Sequence, residues 1–372
     1  MPRPAVFGRD GAPDAGRAGQ RSVSGRPKSS ASANSPVLNM SLKPIVGLLG
    51  GPLARRLTRS GGRVLMYHRF GTDAAGRRMT ATSFEQQLRY LVRHFRVSPL
   101  RDVVQALHGG RALDARTVVV TIDDGYEDFR EHAYPLLRRF EVPATLFVVT
   151  RFVDGDYWLW FDAVHYVLLQ TARSRCALPI DGGILQLDLS SMPARQRAWS
   201  AIGERCLAMD GAGRETVIQT LQRELQIAIP ERPLPAYRGM TWDEIRGLDR
   251  ELIDIGSHTC THPVLSRCSA ADIAREVGDS RRIIERRLGR PVEAFCYPNG
   301  EPADYDERAV LAVKQAGYRC ATVAHGGPIV STADPYRLER IGAAREMVKF
   351  RSAVNGVTTL ADGWRAWRTA TF

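Results

Sequence analysis

The chain reads as an α/β protein of repeated βα units around parallel strands. Three observations lead there. Short β-branched runs such as residues 117–122 and 144–150 have strand length, a helical pattern fills the stretch between them, and the polar residues with chemistry fall just after such runs. The first run, Thr117-Val-Val-Val-Thr-Ile-Asp-Asp-Gly125, ends on two carboxylates and a glycine. An Asp-Gly pair can also close a β-hairpin. The stretch after Gly125 has a helical pattern instead, with Phe129, Ala133, Leu136, Leu137 and Phe140 at helical spacing. Strand, helix and strand together put Asp123 and Asp124 at the carboxyl end of a parallel strand, where such folds build their sites.

The other elements obey the same logic. Residues 63–70, Arg63-Val-Leu-Met-Tyr-His-Arg-Phe70, read as the first strand, with His68 near its carboxyl end. Residues 252–258 read as a strand with Ile253 and Ile255 on one face and His258 at its end. A helix is expected from Ser269, which has Asp272 three positions on as a capping partner. Its buried stripe is Ile273, Val277, Ile284 and Leu288, and Gly289 ends it.

His258-Thr-Cys-Thr-His262 thus shares a rim with the two aspartates. A pair of histidines at i and i+4 can occupy one face of a helical turn, as two ordinary surface histidines also can. The coincidence of both motifs on one rim favours a metal site. Two imidazoles and a carboxylate hold a zinc-like ion and leave a fourth position for water. Such an ion acidifies the water and polarises a carbonyl under attack. The remaining carboxylate is free to act as a general base.

Thr121-Ile-Asp-Asp-Gly125 and His258-Thr-Cys-Thr-His262 resemble the first two motifs of the polysaccharide deacetylases, the NodB-like carbohydrate esterases. The resemblance spans roughly residues 61–345. It implies a deformed (β/α) barrel, hydrolysis of N-acetyl groups on amino sugars of a polysaccharide or glycan precursor, and a divalent metal, zinc first. By matching position it makes Asp123 the general base and Asp124, His258 and His262 the metal ligands. A third motif, Phe295-Cys-Tyr-Pro-Asn-Gly300, fits in part. Pro298 and Gly300 match, Asn299 replaces an aromatic residue, and Cys296 stands where the family has an Arg that orients the catalytic Asp. The Asn299 N–H is the candidate oxyanion donor. For the missing cation two readings of Arg340 are open: it brings the charge from another strand, or it is a solvated surface residue. For the general acid the family offers a late histidine, here His325, and His68 is its rival. His94, His108, His132 and His165 read as ordinary residues of helical stretches.

Residues 153–235 interrupt the repeat and are expected to form a helical insertion. Its apolar members include Leu207, Val217, Ile218, Leu221 and Leu225. Tyr157, Trp158 and Trp160 can stack on sugar rings or form the insertion's own core, and the core reading is favoured. The expected organisation is a tail with a short apolar segment over 1–60, a catalytic barrel over 61–350 carrying the insertion, and a C-terminal extension over 351–372.

The net charge of +12 suggests a polyanion partner until it is located. Residues 1–63 hold eleven Lys/Arg against two Asp, so most of the excess lies in a Gly-, Ala-, Ser- and Pro-rich tail expected to be disordered. Nucleic-acid binding loses its main support, and a weak anionic surface contact by the tail stays open. No segment has transmembrane length. Six cysteines without a pairing pattern, and no convincing signal peptide, point to the cytoplasm. The expected partner is an N-acetylated sugar or glycan. The rival activities are hydrolysis of another linear amide, such as deformylation of a small or lipid-linked sugar, and non-catalytic glycan binding.

Overall fold

In the computed structural model residues 61–72 and 78–357 are described. The expectations for the tail over 1–60, and for 358–372 of the C-terminal extension, concern positions outside them. Four parallel strands form the middle of the sheet: β1 (Gly61–Tyr67), β3 (Thr117–Ile122), β4 (Ala144–Val148) and β7 (Ile253–Ser257). The sheet continues through β8 (Ala294–Cys296) and β9 (Cys320–Thr322). The short β2 (Arg96–Val97) flanks β3, and β10 (Ile329–Val330) runs antiparallel to the start of β1.

The sheet curls back on itself through one short segment. Leu338 bridges to Thr322 beside β9, and β11 (Ile341–Gly342) pairs parallel with Leu65 and Met66 of β1. Residues 338–342 therefore link the last strand to the first, as the expected deformed barrel requires. Alternation along the strands separates two cores. Val118, Val120, Ile122, Leu146, Ile253 and Phe295 belong to the large cluster shared with the helices. Val64, Val119, Phe147, Cys296 and Leu338 form a second cluster. Gly256 in β7 is obligatory, because a Cβ there would collide with the Phe147 ring.

The surrounding helices are α1 (Ala81–His94), α2 (Leu100–His108), α3 (Tyr134–Arg139), α4 (Thr150–Asp154), α5 (Trp160–Gln170), α6 (Met192–Leu207), α7 (Gly211–Leu225), α8 (Trp242–Arg246), α9 (Ala270–Leu288), α10 (Glu307–Gln315) and α11 (Met347–Val354). A π-helical turn, Phe129–Ala133, precedes α3. In α9 the Ser269 side chain accepts from the Asp272 N–H, Gly289 closes the helix at φ 65°, and Ile273, Val277, Ile284 and Leu288 are buried as expected.

The insertion is not wholly helical. Residues 175–188 form an antiparallel hairpin, β5 (Arg175–Ile180) and β6 (Gly183–Asp188), with Cys176, Leu178 and Ile180 buried on alternate positions. The stretch carries the two-residue period of a strand, broken by the Asp181-Gly182 turn. It packs with α5, α6 and α7 in a separate hydrophobic cluster that includes Trp160, Val167, Leu178, Ile202 and Leu221. At the C-terminal end α11 already begins at Met347, with Phe350 and Val354 buried, so the barrel's packing runs past the expected boundary at 350.

Candidate active site

Asp123 and Asp124 come directly after β3, and their different orientations arise from the backbone. Thr121 and Asp123 share strand parity, and both meet the Arg340 guanidinium. Asp124 adopts φ 74°, a left-handed conformation that turns its carboxylate away, and Gly125 continues the turn at φ 89°. His258 comes directly after β7. Residues 258–262 do not form the helical turn that an i, i+4 spacing allows: Thr259 and His262 have φ 70° and 56°, so a loop brings the two imidazoles together. Side-chain bonds hold that loop. The Thr259 hydroxyl accepts from the His262 N–H (3.0 Å), and Glu276 of α9 accepts from the N–H groups of Cys260 (2.8 Å) and Thr261 (3.0 Å). Asn299, after β8, is also left-handed at φ 59°. Left-handed backbone at non-glycine residues costs free energy and persists where surrounding contacts enforce it. Its recurrence at Asp124, Thr259, His262 and Asn299 marks this rim as the functional end.

Asp124 Oδ1 lies 3.6 Å from His258 Nε2 and 3.7 Å from His262 Nε2, and all three residues are buried. These separations are too long for hydrogen bonds. They approach the edge, about 3.4 Å, of a tetrahedron whose arms are the usual metal–ligand length of about 2.1 Å. Among the described residues Asp124 Oδ1 has no hydrogen-bond partner. Burial pushes the Asp124 carboxyl up to about 7, a rise partly offset by His258. Burial, reinforced by His258, holds His262 well below its ordinary pKa, which leaves a neutral ring able to donate a lone pair. His258 Nδ1 is 2.8 Å from the Cys296 carbonyl, so it donates there and its Nε2 is the lone-pair nitrogen. A divalent cation fits this donor set.

Asp123, His258 and Cys296 form a second cluster of possible ligands. Its chemistry is poorer. Burial pushes the Cys296 thiol well up, so it stays protonated, and both Asp123 oxygens are engaged elsewhere.

That engagement is with Arg340, from the segment that closes the barrel. Arg340 Nη1 and Nη2 donate to Asp123 Oδ1 (2.7 Å) and Oδ2 (2.8 Å), Nη1 also to Thr121 Oγ1 (3.1 Å), Nε to the Val323 carbonyl (2.9 Å), and Nη2 to Cys296 Sγ (3.1 Å). Arg340 is 2% exposed, which removes the surface reading. Burial alone would raise the Asp123 carboxyl, but the Arg340 charge outweighs it and holds the group well below the usual carboxylate range.

A cleft of about 510 Å³ opens over these residues and is lined by His68, Asp123, Asp124, His258, His262, Asn299 and Arg340, among others. His68 Nε2 is 3.6 Å from Asp123 Oδ2. His325 does not line the cleft, and its Nε2 is 3.3 Å from the Tyr305 hydroxyl. Tyr157, Trp158 and Trp160 do not line it either. Trp158 donates to the Pro230 carbonyl (2.8 Å), and Trp160 is buried in the insertion's core.

The insertion's wall is made by residues with no recognisable motif in the sequence: Phe161, Asp162, His165 and Leu169 of α5 with Trp199 of α6. His165, expected to be an ordinary helix residue, faces the cleft because Phe161, His165 and Leu169 recur at i, i+4 and i+8 on one helix face. Asp162 joins insertion to barrel. It accepts from the Tyr126 hydroxyl at 2.5 Å, and Arg69 packs over the Tyr126 ring, 3.6 Å from its centroid.

Known proteins agree with this architecture. The polysaccharide deacetylase family model matches residues 110–175 and 215–321, and the gap between them falls inside the insertion. The deacetylase PplD of Streptococcus pyogenes, solved with acetate, shares 16% identity over 78% of this chain and 96% of its own, with a TM-score of 0.52. IcaB from Ammonifex degensii shares 17% identity over 80% of this chain and 97% of its own, also with a TM-score of 0.52. At such identity these two likenesses speak to the fold. No curated protein matches the sequence significantly. The chain belongs to the polysaccharide deacetylase family, whose members are hydrolases of carbon–nitrogen bonds.

Proposed function

We propose that the protein is a divalent-metal-dependent deacetylase acting on N-acetylated amino sugars of a glycan or glycan precursor. The observation that carries this reading is the Asp124 carboxylate oxygen, without a hydrogen-bond partner among the described residues and flanked by two imidazole nitrogens at 3.6 and 3.7 Å. Asp124, His258 and His262 would hold the ion, with zinc the first choice for two nitrogens and one oxygen. When bound, it would supply Lewis-acid polarisation of the amide carbonyl and a more acidic water.

The remaining roles belong to the chain's own side chains. Asp123, ionised by its pairing with Arg340, takes the proton of the attacking water. Arg340 orients that carboxylate through two parallel bonds and leaves it no other rotamer. The Asn299 N–H, on the strained turn after β8, donates to the developing oxyanion. His68 protonates the leaving amine. It lines the cleft beside Asp123, whereas His325 does not. The wall of Phe161, His165 and Trp199 excludes water and positions the sugar.

The test is acetate release from N-acetylated oligosaccharides by the metal-loaded protein, monitored with and without a chelator. A chelator-sensitive release, restored by adding back zinc, is the expected result. Formate release from N-formylated sugars with no acetate release would transfer the assignment to the rival deformylase.

A further inference from the structure

The loop between the two histidines borders a second cleft. His258 and His262 line the first, whereas Thr261 and Pro263 line this one, about 490 Å³ in volume, between the insertion and the start of α9. Arg214 of α7 lies in its wall and is 5% exposed. Its protein acceptor is the Met209 carbonyl, 3.3 Å from Nη1, and among the described residues no carboxylate lies within 4.0 Å of its guanidinium. The Trp160 indole N–H, buried in the same wall, has no acceptor among the described residues. Arg267, exposed at the rim, has no carboxylate within 4.0 Å among the described residues, although its charge reaches Asp304.

Four carboxylates line the cleft as well, and each already has donors. Asp210 caps α7 through the Gly213 N–H (2.8 Å), and Glu215 accepts from Gln219 (2.9 Å). Asp272 is bonded to Ser269 (2.6 Å) and paired with Arg275. Glu276 is occupied by the loop N–H groups and the Thr261 hydroxyl (2.7 Å). Each carboxylate thus has a donor, whereas Arg214 has one carbonyl acceptor for its whole guanidinium and the Trp160 N–H has none among the described residues. A guanidinium buried without a counter-charge is costly, and burial accordingly pulls the Arg214 pKa down.

We propose that this cleft binds an oxyanion, the phosphate or carboxylate of a small soluble ligand, with Arg214 as its principal donor and Arg267 as its second. The ligand's oxygens take the place of the missing carboxylate at Arg214. The site is separate from the hydrolytic centre, and its existence does not depend on the reaction catalysed there.

Isothermal titration of the metal-loaded full chain at constant ionic strength tests it, with inorganic phosphate in one arm and glucuronate in the other. A saturable isotherm is expected in at least one arm. The preferred arm tells a phosphorylated ligand from an acidic sugar. Arg214→Met should weaken binding by about tenfold or more, the scale of one charge-assisted hydrogen bond. Arg267→Ala, an exposed change that leaves the fold intact, should weaken it about threefold and decides the matter if Arg214→Met fails to fold. No saturable binding in either arm, or an affinity unchanged in both variants (as for an anion on the metal), overturns the proposal.

Discussion

Arg340 grips Asp123 through two parallel hydrogen bonds, 2.7 and 2.8 Å long, and both side chains are buried. The cation comes from the segment that closes the barrel, while Cys296, the last residue of β8, occupies the position where the motif resemblance implies an Arg. Cys296 is 3.1 Å from the same guanidinium, so the charge occupies the same neighbourhood by a different route.

Arg340→Ala should shift the acidic limb of the pH–rate profile to higher pH. With the largest counter-charge gone, burial is opposed only by the smaller effects of His68 and His258, and the neutral form of Asp123 gains. Because the folded pKa is depressed, the pair's contribution to stability is present above the unfolded value of about 3.9. It is lost as the pH falls through the folded value. The melting-temperature gap between wild type and variant should therefore be widest near neutrality and narrow in acid. Breaking a buried pair costs about 3–5 kcal/mol. An unmoved acidic limb would separate Arg340 from the base.

The double variant Cys296→Arg/Arg340→Ala should recover part of what Arg340→Ala loses. It returns a guanidinium to the neighbourhood that the first substitution vacates. Recovery is read as an acidic limb moving back toward lower pH. Cys296→Arg alone should destabilise the fold, because a second buried cation would have no carboxylate of its own.

The two strand-end motifs were legible in the sequence because their context was local. A buried β-branched run placed Asp123 and Asp124, and a short strand placed His258. The loop between His258 and His262 was not legible, since the left-handed residues that shape it are Thr and His rather than Gly. Arg340 could be named as a candidate for the missing charge but not told from a surface residue, because its partner is 217 positions away and the two meet through closure of the barrel. The hairpin over 175–188 and the stripe of Phe161, His165 and Leu169 both had readable periods. The long helical stretches on either side of them masked those periods. The tie between Tyr126 and Asp162 crosses from barrel to insertion and leaves no sequence pattern.

His68→Gln should flatten the basic limb and lower turnover by about a hundredfold or more, the usual scale of a general acid. His325→Ala should leave the profile's shape intact, since His325 lies outside the cleft and contacts Tyr305. A normal basic limb in His68→Gln would remove it from the proton-donating role.

Asp162→Ala should loosen the insertion's wall. It leaves the Tyr126 hydroxyl without its acceptor, at a cost of about 1–3 kcal/mol for a buried polar group. The expected kinetic signature is a raised KM on oligosaccharides with metal content unchanged. Loss of bound metal would instead show that Asp162 supports the ligand set directly.

The proposed chemistry divides the rim in two: Asp124, His258 and His262 hold the ion, and Asp123 acts on the water. Metal content measured alongside acetate release separates these roles, for Asp123→Asn and His262→Ala each loaded with zinc and dialysed. Asp123→Asn should retain about one ion per chain and lose activity by roughly a hundred- to ten-thousandfold. His262→Ala should lose both. An Asp123→Asn protein that loses its metal, or a His262→Ala protein that keeps one tightly bound ion and its full rate, would refute that division.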